Sequence, residues 1–164
     1  MVVIVFGLPG SGKSYFASRL AKKIDADYIN SDRLRKEMFK MRTYSRQEKE
    51  SVYQTMLQRM KQDVAQNKNV VLDATFHKKE TRQPFIKAMK AKGGIYFIEI
   101  VAEEKIIRER LKRKRRYSEA DFKVYKIISS ENEPLPESHL VLESTNSNIK
   151  EMLGKAVEYL KSKE

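Results

Sequence analysis

A chain of 164 residues with no cysteine, carrying 34 Lys and Arg against 22 Asp and Glu for a net charge of +12, has the length of one domain and excludes a disulfide framework, a thiol nucleophile and a thiolate metal site. Its longest apolar runs are strand-length and its N-terminus reads as a core strand, so neither a membrane span nor a signal peptide is expected and a cytoplasmic protein is. The excess positive charge fits polyanionic partners such as nucleic acid, or equally the solvated Lys- and Glu-rich surface of a thermophile, and its position along the chain matters more than its total.

Val2-Val3-Ile4-Val5-Phe6 is a run of apolar, mostly β-branched residues that predicts a strand buried on both faces. Gly7-Leu8-Pro9-Gly10-Ser11-Gly12-Lys13-Ser14 follows it as G-x-x-x-x-G-K-S, a Walker A P-loop, and Phe16, Ala17, Leu20 and Ile24 continue as an amphipathic helix. Glycines here let successive N–H groups turn inward around a phosphate. Gly7, Pro9, Gly10, Ser11, Gly12, Lys13, Ser14 and Tyr15 are the candidate ATP-binding residues. Within them Lys13 reaches the β- and γ-phosphates and Ser14 ligates Mg²⁺. A glycine-rich turn without a ligand would need neither the Lys-Ser pair nor three glycines.

Asp27-Tyr28-Ile29-Asn30 predicts a second strand, and Ser31 a cap for a helix that buries Leu34, Met38 and Phe39. Asp32 then lies in the first turn, just past the carboxyl end of a strand, with Arg35 on the same face. A carboxylate there can accept the proton of an attacking hydroxyl, because phosphoryl transfer is largely dissociative and the proton leaves late. The plain alternative is a helix-dipole contact and a surface ion pair. Residues 45 to 67 read as a long helix, with a Ser45–Glu48 capping box and a Val52, Met56, Met60 and Val64 stripe assigned to the core.

Val70-Val71-Leu72-Asp73-Ala74-Thr75 predicts a buried strand ending in a Walker B-like acid, with Asp73 holding Mg²⁺ through water and Thr75 a candidate acceptor contact. His77 is expected to face solvent among Lys78, Lys79 and Glu80. A helix over about 79–92 ends at Gly93-Gly94, and Ile95 to Val101 is a fourth strand. From Glu103 a helix with Ile106, Ile107 and Leu111 inward carries Lys105, Arg108, Arg110, Lys112, Arg113, Lys114, Arg115 and Arg116 against Glu109 alone, an imbalance that argues for an external anion. Ser118 is expected to cap the next helix, completing a basic lid over the nucleotide rather than a surface helix remote from it. Leu140-Val141-Leu142 is a fifth strand, a polar loop at 143–148 follows, and Asn148 with Glu151 is read as the cap of a final helix.

In order and spacing, the P-loop, Asn30-Ser31-Asp32-Arg33-Leu34-Arg35, Leu72-Asp73-Ala74-Thr75 and the arginine-rich lid resemble the adenylate-kinase-like P-loop kinases. Within that group they resemble the AAA_33-type family, which includes the kinase module of polynucleotide 5′-hydroxyl kinases. The likeness covers roughly residues 1 to 145. It implies an α/β fold, a three-layer P-loop NTPase sandwich with a five-stranded parallel sheet in order 2-3-1-4-5, helices on both faces and a helical basic lid at about 104–130, within one domain over 1–164. It further implies Asp32 as general base, Arg35 as the acceptor grip, and Arg113 and Arg116 as the lid arginines on the ATP phosphates.

The expected activity is transfer of the γ-phosphoryl group of ATP, or another NTP, with Mg²⁺, to a hydroxyl acceptor. The 5′-OH of a polynucleotide is preferred, on the strength of Arg35 and the basic run. A small-molecule kinase acting on a metabolite or antibiotic is the alternative. A nucleic-acid-binding ATPase or nucleotide switch is the rival from another class, although Asn67-Lys68-Asn69 lacks the Asp of a guanine-reading N-K-x-D.

Overall fold

The computed structural model describes residues 1–115 and 118–163. Its strands are β1 (Val2–Phe6), β2 (Ala26–Asn30), β3 (Asn69–Asp73), β4 (Ile95–Val101) and β5 (Leu140–Glu143). They form one sheet in the order β2-β3-β1-β4-β5, with every pairing parallel. The helices are α1 (Lys13–Lys23), α2 (Ser31–Met38), α3 (Arg46–Ala65), α4 (Lys79–Met89), α5 (Glu104–Leu111), α6 (Phe122–Ser130) and α7 (Ile149–Lys161). No helix among the described residues is long and apolar enough to cross a membrane.

The central strand explains the layering. Side chains alternate across a strand, so Val2, Ile4 and Phe6 of β1 join the core that packs under α3 and α4, with Met56, Met60 and Phe85. Val3 and Val5 join the opposite core, with Phe16 and Leu20 of α1 and Met152 and Leu160 of α7. Every residue of β1 is buried, which is why it reads as an unbroken apolar run rather than an alternating one.

Register then aligns the ends of three strands. Asp73 lies opposite both Val5, two residues before the P-loop, and Asn30, two residues before Asp32.

Helix starts differ from expectation in three places. The α2 cap is Asn30, whose Oδ1 accepts from the Arg33 N–H at 2.9 Å, and Ser31 is already helical. Ser118 starts no helix; α6 begins at Phe122, where the Asp121 carboxylate accepts from the Val124 N–H at 3.0 Å. Asn148 does not cap α7 with its side chain, which instead ties the preceding loop through the Thr145 N–H and the Glu143 carbonyl. Ser45 does cap α3, but Glu48 turns away from the capping box to accept from the N–H and hydroxyl of Thr43. α3 ends at Ala65, just past the last residue of the apolar stripe and short of the expected 67, and Asn67, with a positive φ of 58°, turns the chain.

Candidate active site

The nucleotide end of the site is built by the turn from β1 into α1. Gly7 has φ +152°, and a Cβ there would lie 2.4 Å from the Ile100 carbonyl oxygen, so only glycine lets the loop pass this close to β4. Gly12, at φ +92°, is the N-cap of α1 without a side-chain cap, and no acidic residue stands in the first turn. Among the described residues no side-chain cap covers the first N–H groups of α1, which stand at the positive end of the helix dipole as a cradle for phosphate. Tyr15 points outward, its ring covered by the Arg19 guanidinium at 3.4 Å.

Beside this cradle Asp73 is fully buried. Its Oδ2 accepts from the Tyr28 hydroxyl and the Asn30 amide, both at 2.6 Å, while Oδ1 is buried with no hydrogen-bond partner among the described residues. Burial and the Asp73 charge push the Tyr28 hydroxyl pKa upward, so it stays a donor. The same Asn30 amide lies 3.4 Å from Ser14 Oγ. A carboxylate oxygen left without a partner beside a P-loop hydroxyl is the donor set a hydrated Mg²⁺ requires, so Ser14 and Asp73 fit the ion assigned to them.

Asp32, Arg35 and Thr75 all line a cavity of about 780 Å³ that Pro9 and Lys13 also border. Burial raises the Asp32 pKa, opposed by the nearby charges of Lys13, Arg35 and Arg115 and reinforced by Asp73. Arg35 is buried; its Nη1 is 3.4 Å from Asp32 Oδ1, its Nε 3.1 Å from Glu48 Oε1, and the Tyr44 ring centre lies 4.7 Å away. Glu48 looked like a capping residue only. Its burial and its place opposite Arg35 arise from the loop at 39–45, which carries no periodic signal.

Thr75 Oγ1 is 3.4 Å from both the Tyr53 hydroxyl and His77 Nδ1. The Phe76 between them has φ +44°, a left-handed conformation unusual for a buried aromatic residue, and it sets Thr75 and His77 on the cavity side. The expectation that His77 faces solvent is overturned: it is 9% exposed, and its carbonyl accepts from the Glu133 N–H at 2.7 Å, which pins it beneath a loop distant in sequence.

The stretch read as a lid contains α5 and α6, and among its described arginines Arg110 and Arg115 are the partly buried ones. Arg110 donates to the Gly10 carbonyl at 3.2 Å, to Ser144 Oγ at 3.0 Å and to Asn146 Oδ1 at 3.3 Å, holding the P-loop against the loop after β5. Half-buried Arg115 donates to the Ala120 carbonyl at 2.6 Å and lies close enough to feel the Asp32 charge. Arg113 is exposed, in the field of Glu109. Arg113, which the resemblance puts on the ATP phosphates, lies just past α5, which ends at Leu111. Arg116 lies outside the described residues.

A clasp holds the lid to the other wall. Glu119 accepts from Tyr44 Oη at 2.6 Å and from Arg42 Nε at 2.9 Å, and these bonds lower its pKa to about 2.

This fold and site define a P-loop protein of the kinase-like type. The chain belongs to the AAA_33 family, described as an AAA domain, whose model matches residues 2–129. Among solved structures it is similar to a sugar kinase from Janibacter sp. HTCC2649 (TM-score 0.76, 16% identity, 98% of this chain and 94% of that one covered). It is also similar to a gluconokinase from Sinorhizobium meliloti 1021 (0.74, 18%, 98% and 91%). A third similar structure is the Mycobacterium tuberculosis APS kinase in complex with AMPPNP and APS (0.72, 18%, 98% and 96%). At these identities the likeness is one of fold. No curated protein sequence matches the chain.

Proposed function

We propose that the protein is an ATP- and Mg²⁺-dependent kinase that phosphorylates a hydroxyl group of a small molecule. The observation that carries this reading is that Asp32 and the P-loop Lys13 border one cavity of about 780 Å³, within the usual range for small-molecule sites. A nucleotide hydrolase has no need of such a space opposite the phosphates. The acceptor oxygen bonds to the γ-phosphorus as the bond to the β-phosphate oxygen breaks, with that electron pair leaving on ADP, and the hydroxyl proton passes to Asp32. Lys13 and Arg115 supply positive charge at the transferred group, and the clasped lid keeps water out. Mg²⁺, held by Ser14 and through water by Asp73, supplies further neutralisation of phosphate charge when bound.

Charge along the cavity favours a small acceptor over a nucleic acid. Among the described residues that line it, Lys13, Arg35, Arg46, Lys49 and Lys78 are matched one for one by Asp32, Glu50, Glu80, Glu119 and Glu131, whereas a channel tracking a polynucleotide backbone is positive throughout. Arg35, the residue assigned to grip a phosphate, already shares its charge between two carboxylates. The basic run is also partly engaged within the protein: Arg108 pairs with Glu104 and lies over Phe122, and Lys112 pairs with Glu109. The folds of the sugar kinase, gluconokinase and APS kinase support the same direction.

The second reading, transfer to a polynucleotide 5′-OH, rests on exposed Lys105, Arg113 and Lys114 on the lid. Competition separates the two. With a small acceptor present, excess 5′-hydroxyl oligonucleotide leaves phosphorylation unchanged if the first reading holds and suppresses it if the second does.

A further inference from the structure

We propose that the acceptor is an alcohol with an apolar body, aromatic or alicyclic, rather than a sugar or sugar acid. This rests on the kinase reading of the same cavity. Val124, Ile127 and Ile128 of α6 fall at i, i+3 and i+4, one stripe of the helix, and all three line the cavity. That stripe packs into no core. No residue of α6 is buried, and Ile127 is 58% exposed. Leu57 of α3 and Pro84 and Phe85 of α4 line the same space. The cavity thus offers apolar surface from three helices, continuous with the end where Asp32 and Lys13 stand.

Polar groups border this stripe rather than interrupt it: Glu131, one turn past Ile127 and Ile128, lies 3.6 Å from His77 Nε2 and from Lys78 Nζ. Asp32, Arg35 and Thr75 mark the catalytic end, and the exposed Arg46–Glu50 pair belongs to the rim. A polyol laid along Val124, Ile127 and Ile128 would give up hydrogen bonds to water that these three side chains do not return. An alcohol with an apolar body gives up nothing there and covers the stripe, leaving its hydroxyl to meet Asp32. Arg35, the cation at the catalytic end beside Asp32, is already occupied by Asp32 and Glu48 and adds no free charge for a carboxylate or phosphate on the acceptor.

The test uses the full chain with isoleucine and leucine methyl groups labelled for NMR, titrated with cinnamyl alcohol and cyclohexylbutanol, and in parallel with glucose and gluconate. Label transfer from γ-phosphate-labelled ATP is followed in the same samples. The apolar alcohols are expected to shift the Ile127, Ile128 and Leu57 methyl signals, and Ile127→Asn to weaken their binding about tenfold, with thermal melting as the control for folding. Gluconate or glucose shifting those methyls while the apolar alcohols leave them unmoved would overturn the proposal. So would alcohols shifting methyls elsewhere only. Methyl shifts by the alcohols without Asp32-dependent transfer would uphold the apolar site and overturn the kinase reading. Transfer to gluconate would uphold the kinase reading and overturn the apolar acceptor.

Discussion

Glu119 of the lid accepts a hydrogen bond from Tyr44 at 2.6 Å, joining two segments 75 residues apart and closing the acceptor side of the cavity. Because both groups are partly solvated, the bond is worth little to global stability and matters to the open–closed balance of the lid. Tyr44→Phe is predicted to raise the acceptor KM by about twofold to fivefold, leave the ATP KM unchanged, and speed amide exchange in α6.

Acid should release the same clasp. The Glu119 pKa is lowered to about 2 from its ordinary 4.5, so its contribution to the closed lid is complete above the ordinary value and is lost as pH falls from 4.5 toward 2. Exchange protection of α6 measured across that interval should decline in wild type. It should show no such step in Glu119→Gln.

Asp32 has the opposite shift. Burial raises its pKa above 3.8, and only the ionised form accepts a proton, so kcat/KM should fall on acidification with a midpoint above 3.8. Asp32→Asn removes that limb and lowers kcat by about 10²- to 10⁴-fold, while ATP affinity, measured by calorimetry, changes little.

Metal dependence should follow Asp73. With Oδ2 occupied by Tyr28 and Asn30, only the buried Oδ1 can face a metal-bound water. Asp73→Asn is expected to raise the Mg²⁺ concentration needed for half-maximal activity by roughly 10- to 100-fold, read from a Mg²⁺ titration at fixed ATP.

At Gly7 a methyl group meets backbone. Gly7→Ala should destabilise the protein by about 2 kcal/mol, a melting temperature lower by roughly 4–8 °C, and weaken ATP binding as β1 and β4 adjust.

The nucleotide half of the molecule was legible in the sequence because its signals are local. The five apolar residues of β1, the glycines after it and the acid closing β3 each have a physical reason within a few residues, and the resemblance supplied the strand order. The acceptor half depends on partners far apart. His77 is buried by a loop more than 50 residues away, so its charged neighbours misled, and Glu48 turns from the expected capping box to Thr43 and Arg35. Arg115 lies beyond the end of α5 at Leu111, so its contact with the Ala120 carbonyl depends on where that helix stops. The apolar stripe of α6 is visible as Val124, Ile127 and Ile128, but nothing local distinguishes a stripe facing a cavity from one packed in a core.

The most direct test incubates the protein with labelled ATP, Mg²⁺, a small-molecule cell extract and 5′-hydroxyl oligonucleotides together, with Asp32→Ala in parallel, and asks where the γ-phosphate goes. The account predicts Asp32-dependent label in an organic small molecule. Label confined to oligonucleotide 5′ ends, or released as inorganic phosphate at the same rate by both proteins, would contradict it.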